Sequence, residues 1–241
     1  MFTTPKTVLV ADDNHASTMR LSILLKRLDY SVVTAANCAD VMKKMVAFNP
    51  DIVLMGIKLP EMGSATCLGY IKRDAKLKGT PVVMMGDKTD AKTMEESLVR
   101  GASAYFFKPV SPTALYQVIQ KLTEKKPREN VRARIIFKAI ITYQNTKRVS
   151  FASTLSEKGV FIRTVKPIPI GTKVAISMDL PSEKPVELEG TVIYVVEFNR
   201  DQFIEPGICI QFSNVDKELQ LGLRKFVEEQ LTYDLDPNLE L

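Results

Sequence analysis

Tryptophan is absent from the 241 residues, histidine occurs once (His15), and cysteine occurs three times (Cys38, Cys67 and Cys209). One histidine leaves almost nothing from which to build a histidine-rich metal site or a serine-histidine hydrolase centre. An odd number of widely spaced cysteines fits reduced, buried thiols better than a disulfide or zinc framework. No uncharged apolar run reaches the roughly 18 residues that a membrane helix needs. The first six residues lack the basic-then-apolar order of a signal peptide. A cytoplasmic protein without membrane insertion is therefore expected. What the chain does have is apolar content, 45% against 25% charged, enough to fill one large core or two small ones.

The formal net charge is +5, and its distribution matters more than its size. Residues 1–124 carry 16 basic and 12 acidic side chains (+4), residues 125–148 carry 8 and 1 (+7), and residues 149–241 carry 9 and 15 (−6). The positive excess sits in one segment of 24 residues, followed by an acidic region. A long nucleic acid would be repelled by that acidic excess, and there is no tight alternation of aromatic and basic residues, so nucleic acid is not expected as a partner.

Up to about residue 124, short apolar runs alternate with stretches of helical period, which predicts βαβ units on a parallel sheet. The expected strands are Thr7–Ala11, Ser31–Ala35, Ile52–Met55, Pro81–Met85 and Ala104–Phe107, and the last helix is Ser111–Glu124. Such a doubly wound domain binds ligands at the C-terminal ends of its strands. His15 is expected to cap or border the first helix. Beyond Pro127 the pattern changes to strands joined by turns: Ala133–Tyr143, Arg148–Ser153, Gly159–Thr164, Lys173–Met178, Val186–Val196 and Gly207–Phe212. Six strands without intervening helices predict a small antiparallel barrel. A closing helix is expected over Asp216–Leu231, started by Ser213 in a capping-box variant, and an acidic, frayed tail over Thr232–Leu241. The fold class is therefore α/β plus all-β, with domains at 1–124 and 125–241.

Val8-Leu9-Val10-Ala11-Asp12-Asp13-Asn14 places two carboxylates after the first strand, and Lys108-Pro109 follows the fifth. This resembles a response-regulator receiver domain over about residues 5–124. The resemblance implies an acidic pair that binds magnesium, an aspartate acceptor ending the third strand, a hydroxyl ending the fourth and a lysine that pairs with the phosphate. The acceptor position is Gly56, which has no nucleophile, and the fourth strand runs into Gly86-Asp87 where the hydroxyl is expected. Aspartyl phosphorylation needs both a carboxylate nucleophile and a charge-offsetting metal. Asp12, Asp13, Gly56 and Lys108 thus read as a vestigial site, an ion-pair network in preference to a residual magnesium site. Magnesium is not expected, and the domain reads as a protein-docking module. Tyr105 reads as a packing or interface residue.

In the second half, Arg128 and Arg132 stand four apart just before a strand, and about 20 residues later comes Ser153-Thr154-Leu155-Ser156-Glu157-Lys158-Gly159. Together these resemble a PilZ domain over about residues 126–232, whose hallmarks are Arg-x-x-x-Arg and then Asp or Asn-x-Ser-x-x-Gly. The resemblance implies a six-stranded barrel that binds cyclic di-GMP, often as an intercalated dimer. The ligand site it implies is Arg128, Arg132, Thr154, Ser156 and Gly159, with Arg134 as a possible addition. The chemistry agrees, because an arginine fork can address guanine O6 and N7, pair with phosphate, and stack on a purine. Ser156 offers a hydroxyl, and Gly159 lets the backbone approach closely. Thr154 stands where the family has Asp or Asn, so a contact worth about 1–3 kcal/mol is weakened or water-bridged.

The resulting expectation is a non-enzymatic effector in a two-component or cyclic di-GMP pathway, with no catalytic cofactor. Cyclic di-GMP is the expected ligand, and a protein partner is expected at the receiver surface. Nucleotide binding is expected to order a flexible Lys125–Arg132 joint. The alternative is a constitutive protein-interaction adaptor in which both domains have lost their ligand or phosphate. The sequence sets neither the oligomeric state nor the number of nucleotides bound.

Overall fold

The computed structural model describes residues 5–180, 185–198 and 205–235; the expected tail beyond Leu235 lies outside them. The chain divides into two compact units, Met1–Glu129 with Leu231–Leu241, and Asn130–Gln230.

In the first unit, β1 (Thr7–Ala11), β2 (Ser31–Ala35), β3 (Ile52–Gly56), β4 (Val82–Gly86) and β5 (Ala104–Phe107) form one parallel sheet in the order β2-β1-β3-β4-β5. The crossovers are α1 (His15–Arg27), α2 (Cys38–Phe48), α3 (Ser64–Arg73) and α4 (Ala91–Val99), and α5 (Pro112–Thr123) follows β5. β3 and β4 are buried at every position, because helices cover both faces of the sheet; this is why they read as continuous apolar runs. Asn14 caps α1 by accepting from the Ser17 N–H at 3.1 Å, which makes His15 the first helical residue. Tyr105 is partly buried against the core and meets Phe107 edge-on at 5.3 Å. Cys38 and Cys67 are buried free thiols in this core, and burial raises the pKa of Cys67.

Arg27, in the last turn of α1, gathers the end of the chain into the same unit. Its guanidinium donates to the Leu231 carbonyl at 2.7 Å, pairs with Asp234 at 2.5 Å, and lies 5.5 Å from the centroid of the Tyr233 ring. Residues 231–235 thus belong with the first unit, whereas the sequence pattern alone keeps the tail with the barrel.

The second unit is a closed barrel in the order β10-β11-β8-β7-β6-β9, built from β6 (Phe137–Tyr143), β7 (Thr146–Ser156), β8 (Gly159–Arg163), β9 (Lys173–Met178), β10 (Val186–Val196) and β11 (Gly207–Ser213). Closure leaves no unpaired sheet edge. Gln144 and Asn145, with φ of 48° and 58°, make the two-residue turn whose twist matches the flanking strands. β7 therefore starts at Thr146, earlier than the expected Arg148. β7 carries an extra residue at Ser153, between the pairs Ala152↔Ile162 and Thr154↔Phe161. β10 carries another at Ile193, between Val192↔Ile210 and Tyr194↔Cys209.

The closing helix, α6 (Lys217–Thr232), buries Leu223, Phe226 and Val227. Its cap is Asp216, whose carboxylate accepts from the Leu219 N–H at 2.7 Å. Ser213, the expected cap, is instead the last residue of β11, too far from the first helical turn to reach its N–H groups. No helix of the described residues is long and apolar enough to cross a membrane.

Candidate functional site

At the C-terminal ends of the first unit's strands, a cleft of about 240 Å³ is lined by Asp12, Asp13, Gly56, Gly86, Asp87 and Lys108, among others. Lys108 Nζ donates to Asp12 Oδ2 at 2.8 Å and to Ser17 Oγ at 3.2 Å. The side chains of Asp12 and Lys108 are 1% and 16% exposed, so this ion pair is screened little by water. Asp12 Oδ1 is also committed, accepting from the Asn14 N–H at 3.0 Å. Asp13 stands outside the pair, exposed at the cleft rim; partial burial and the neighbouring Asp12 raise its pKa.

Gly56 ends β3 with no room beside it. A Cβ there would lie 2.8 Å from Asp12 Oδ2 and 3.0 Å from Asp12 Cγ. The Asp12 carboxylate, held by Lys108 and by the Asn14 N–H, fills the space that a side chain at 56 would enter. The Ser64 hydroxyl donates to the Gly56 carbonyl and fixes the backbone from the other side. Gly86, at the end of β4, is also tight: a Cβ there would lie 3.1 Å from Ile57 Cγ2 and 3.3 Å from Asp90 Oδ2. Lys58 bridges Asp87 at 3.4 Å and Asp90 at 3.8 Å on the rim, and these two carboxylates raise its pKa, Asp90 the more.

Magnesium asks for near-octahedral oxygen ligands. These residues do not fit it: Asp12 is bound on both oxygens, position 56 supplies no carboxylate, and among the described residues no group of three or more His, Cys, Asp or Glu converges. Within the cleft, the charges of Asp12, just after β1, and Lys108, just after β5, are paired with each other.

In the barrel unit, the segment after Arg132 is held beside β7. Ala133 and Leu155 exchange both backbone hydrogen bonds at 2.9 and 3.0 Å, and the Ile135 N–H donates to the Ser153 carbonyl at 3.3 Å. In this antiparallel register, Arg132 lies opposite Ser156 and Arg134 opposite Thr154. Both arginines are exposed, while Ala133 and Leu155 point into the core. Ser156 Oγ donates to the Gly159 carbonyl at 3.1 Å, closing the hairpin between β7 and β8. At Gly159 a Cβ would sit 2.7 Å from the Ile210 carbonyl, so glycine is required by the approach of β11.

Arg128 belongs to the first unit by its contacts. Its N–H donates to Gln120 Oε1 at 3.0 Å, and Gln117 Nε2 donates to the Glu129 carbonyl at 3.1 Å. The backbone expected from sequence to be a flexible joint is therefore pinned at Arg128 and Glu129 by two glutamines one turn apart on α5. Among the described residues neither Arg128 nor Arg132 forms an ion pair, and both guanidinium groups are exposed.

Sequence reasoning missed Glu157, inside the polar turn. It is 6% exposed and receives Arg224 on both carboxylate oxygens, the second at 3.1 Å, plus Gln220 Nε2 at 3.1 Å. Arg224 holds the Glu157 pKa below the ordinary value. The signal was available: Gln220 and Arg224 are four apart on α6 and so share a face.

A doubly wound unit with a polar cleft at its strand ends, followed by a barrel with exposed arginines beside a serine-glycine turn, has the build of a signalling protein. Comparison with known families agrees. Residues 8–120 match the response regulator receiver domain, and residues 126–229 match the PilZ domain. Along the chain, a segment that matches a receiver domain is thus followed by one that matches a PilZ domain.

Among curated relatives, Protein PilG of Pseudomonas aeruginosa is 27% identical over 113 residues, which is 47% of this chain and 84% of that protein. The polar-differentiation response regulator DivK of Brucella anthropi is 26% identical over 48% of this chain and 94% of its own length. For the transcriptional regulatory protein KdpE of Staphylococcus aureus the figures are 24%, 52% and 54%. Among solved structures, a putative response regulator from Chloroflexus aurantiacus matches 49% of this chain and 98% of its own, at 23% identity and a TM-score of 0.48. Receiver and PilZ domains are regulatory and binding domains, not catalytic ones, and together they support a signalling protein that binds cyclic di-GMP.

Proposed function

We propose that the protein is a cyclic di-GMP-sensing effector in which the barrel binds the nucleotide and the receiver unit serves as a docking module that does not accept phosphate. Arg128 and Arg132 supply guanidinium forks to guanine edges and phosphates, Ser156 and Gly159 form the turn beneath them, and Arg134 stands beside Thr154. The observation that carries this reading is the Ala133–Leu155 bridge, which puts Arg132 opposite Ser156 with its charge exposed. Exposed arginines next to a polar turn are suited to a small dianion, since charge-assisted hydrogen bonds to phosphate are roughly twice as strong as neutral ones.

The docking half of the proposal is supported by the Asp12–Lys108 pair, by the tight space at Gly56 and by the lack of a carboxylate at that position. Calorimetric titration of the whole chain with cyclic di-GMP tests the sensor half. Saturable binding that is lost in Arg128→Ala and Arg132→Ala supports it; no heat at high micromolar nucleotide ends it in favour of a constitutive adaptor. Incubation with a small phosphoryl donor tests the docking half, and stable incorporation into the receiver unit would overturn it.

A further inference from the structure

The two extra strand residues, Ser153 in β7 and Ile193 in β10, flank the same pair of strands, β8 and β11. A bulge of this kind re-aims the side chains beyond it. Without the insertion at Ile193, strict alternation from the buried Val192 would turn Tyr194 inward; with it, Tyr194 pairs with Cys209 and is 38% exposed. In the same way, the insertion at Ser153 brings Thr154 opposite Phe161. The consequence is one outward row across the barrel wall: Arg134, Thr154, Phe161, Cys209 and Tyr194, each paired with the next.

Within that row Phe161 and Tyr194 lean towards each other over the smaller Cys209. Their centroids are 6.3 Å apart and their planes differ by 31°. This explains why Cys209, on the outer face, is only 9% exposed. Burial raises the Cys209 pKa, and the Tyr194 hydroxyl and the Arg132 charge oppose that rise; Arg132 is exposed two residues before Arg134, beside the start of this row. Gly207 provides the seat for the Phe161 ring, because a Cβ at 207 would fall 2.6 Å from Phe161 Cζ. An aromatic pair, a glycine that makes room for it, a bulge that aims Tyr194 outward and an arginine alongside form a prepared surface.

We propose that Phe161 and Tyr194 form a stacking shelf for one guanine base of the cyclic dinucleotide, with Arg132 at its edge. The proposal rests on the nucleotide-binding reading above and adds to it the residues that carry the base. A purine is the occupant that fits: it presents a flat π-face to the rings and acceptors on its edge to the guanidinium. The shelf also gives an account of Thr154. With stacking supplied next to it, the position opposite Arg134 needs no planar carboxylate or amide to hold the base.

The test is titration of the whole chain with cyclic di-GMP, comparing the wild type with Phe161→Leu, Tyr194→Leu and Tyr194→Phe, each checked by thermal melting. Guanine hypochromism on binding gives a second readout that a purely structural role would not move. The shelf predicts that both leucine variants bind about tenfold or more weakly and lose hypochromism, whereas Tyr194→Phe stays within about threefold. Wild-type binding with both leucine variants unchanged and hypochromism intact would remove the shelf and leave the sensor reading standing. A wild type that does not bind would remove both. If a leucine variant fails to fold, hypochromism in the wild type and in Tyr194→Phe decides: its absence on saturable binding overturns the shelf.

Discussion

In the receiver unit the lysine after the last strand is 16% exposed and bonded to a carboxylate that is 1% exposed, and the neighbouring backbone has no room for a side chain. In the barrel unit Arg132 stands exposed, one residue before a backbone bridge that holds it beside a polar turn. One unit keeps its cation within the protein; the other presents its cation to the solvent. The sequence departs from the expected patterns at Gly56 and Gly86 in the first unit and at Thr154 in the second, and the surroundings of Gly56 and Thr154 differ. Around Gly56 the structure has closed over the change. Thr154 is half-buried on the barrel wall, with Arg134 opposite and Phe161 on the next strand.

The largest expected effect is on the open side. Arg132→Ala should weaken cyclic di-GMP binding about 100-fold by calorimetry, the loss of about 2–3 kcal/mol in charge-assisted contacts. An unchanged affinity would place the cation outside the site and erase the contrast. On the closed side, Gly56→Ala should destabilise the protein by about 1–3 kcal/mol in chemical denaturation, because its methyl meets a fixed carboxylate. Adding Asp12→Ala should recover part of that loss, and a neutral Gly56→Ala would show that the cleft is not closed. Gly56→Asp alone should remain unlabelled by a small phosphoryl donor.

A smaller effect is expected at Glu157. Glu157→Gln should cost about 1 kcal/mol, discounted because Arg224 is 45% exposed. Its folded pKa is lowered, chiefly by Arg224, so its contribution is present above the unfolded carboxylate value and is lost as pH falls through the folded one. The stability difference between wild type and variant should therefore vanish in acid. Asp13 has the opposite sign: its pKa is raised, so its contribution is fully present below the unfolded value and lost as pH rises through the folded one. Asp13→Asn should accordingly stabilise the receiver unit slightly above that range, measured by melting across pH. The smallest change is Thr154→Asn, expected to leave nucleotide affinity within about twofold, since stacking beside it already holds the base.

Much of the fold was legible in the sequence, because strands buried on both faces must be apolar throughout and a barrel must alternate with turns. Arg128, Arg132, Ser156 and Gly159 were legible as a pattern, and Gly56 as a missing nucleophile. What the sequence did not reveal depends on distance. The requirement for glycine at 159 comes from the Ile210 carbonyl, 51 positions away along the chain, and that at 56 from where Asp12 lies. The β10 bulge was illegible for another reason: Thr191-Val192-Ile193-Tyr194 has no polar-apolar alternation for an extra residue to disturb. The pinning of Arg128 was hidden because a glutamine on a helix face reads as solvated until its partner is seen.

The Arg27 clasp on Leu231 and Asp234 makes the receiver unit discontinuous along the chain, with the barrel written into it like a parenthesis. The usual cut between two consecutive domains would then leave the last stretch of the first unit on the second piece. A single proteolytic nick at Lys125 or Lys126 would leave the released C-terminal piece still carrying residues that complete the receiver unit.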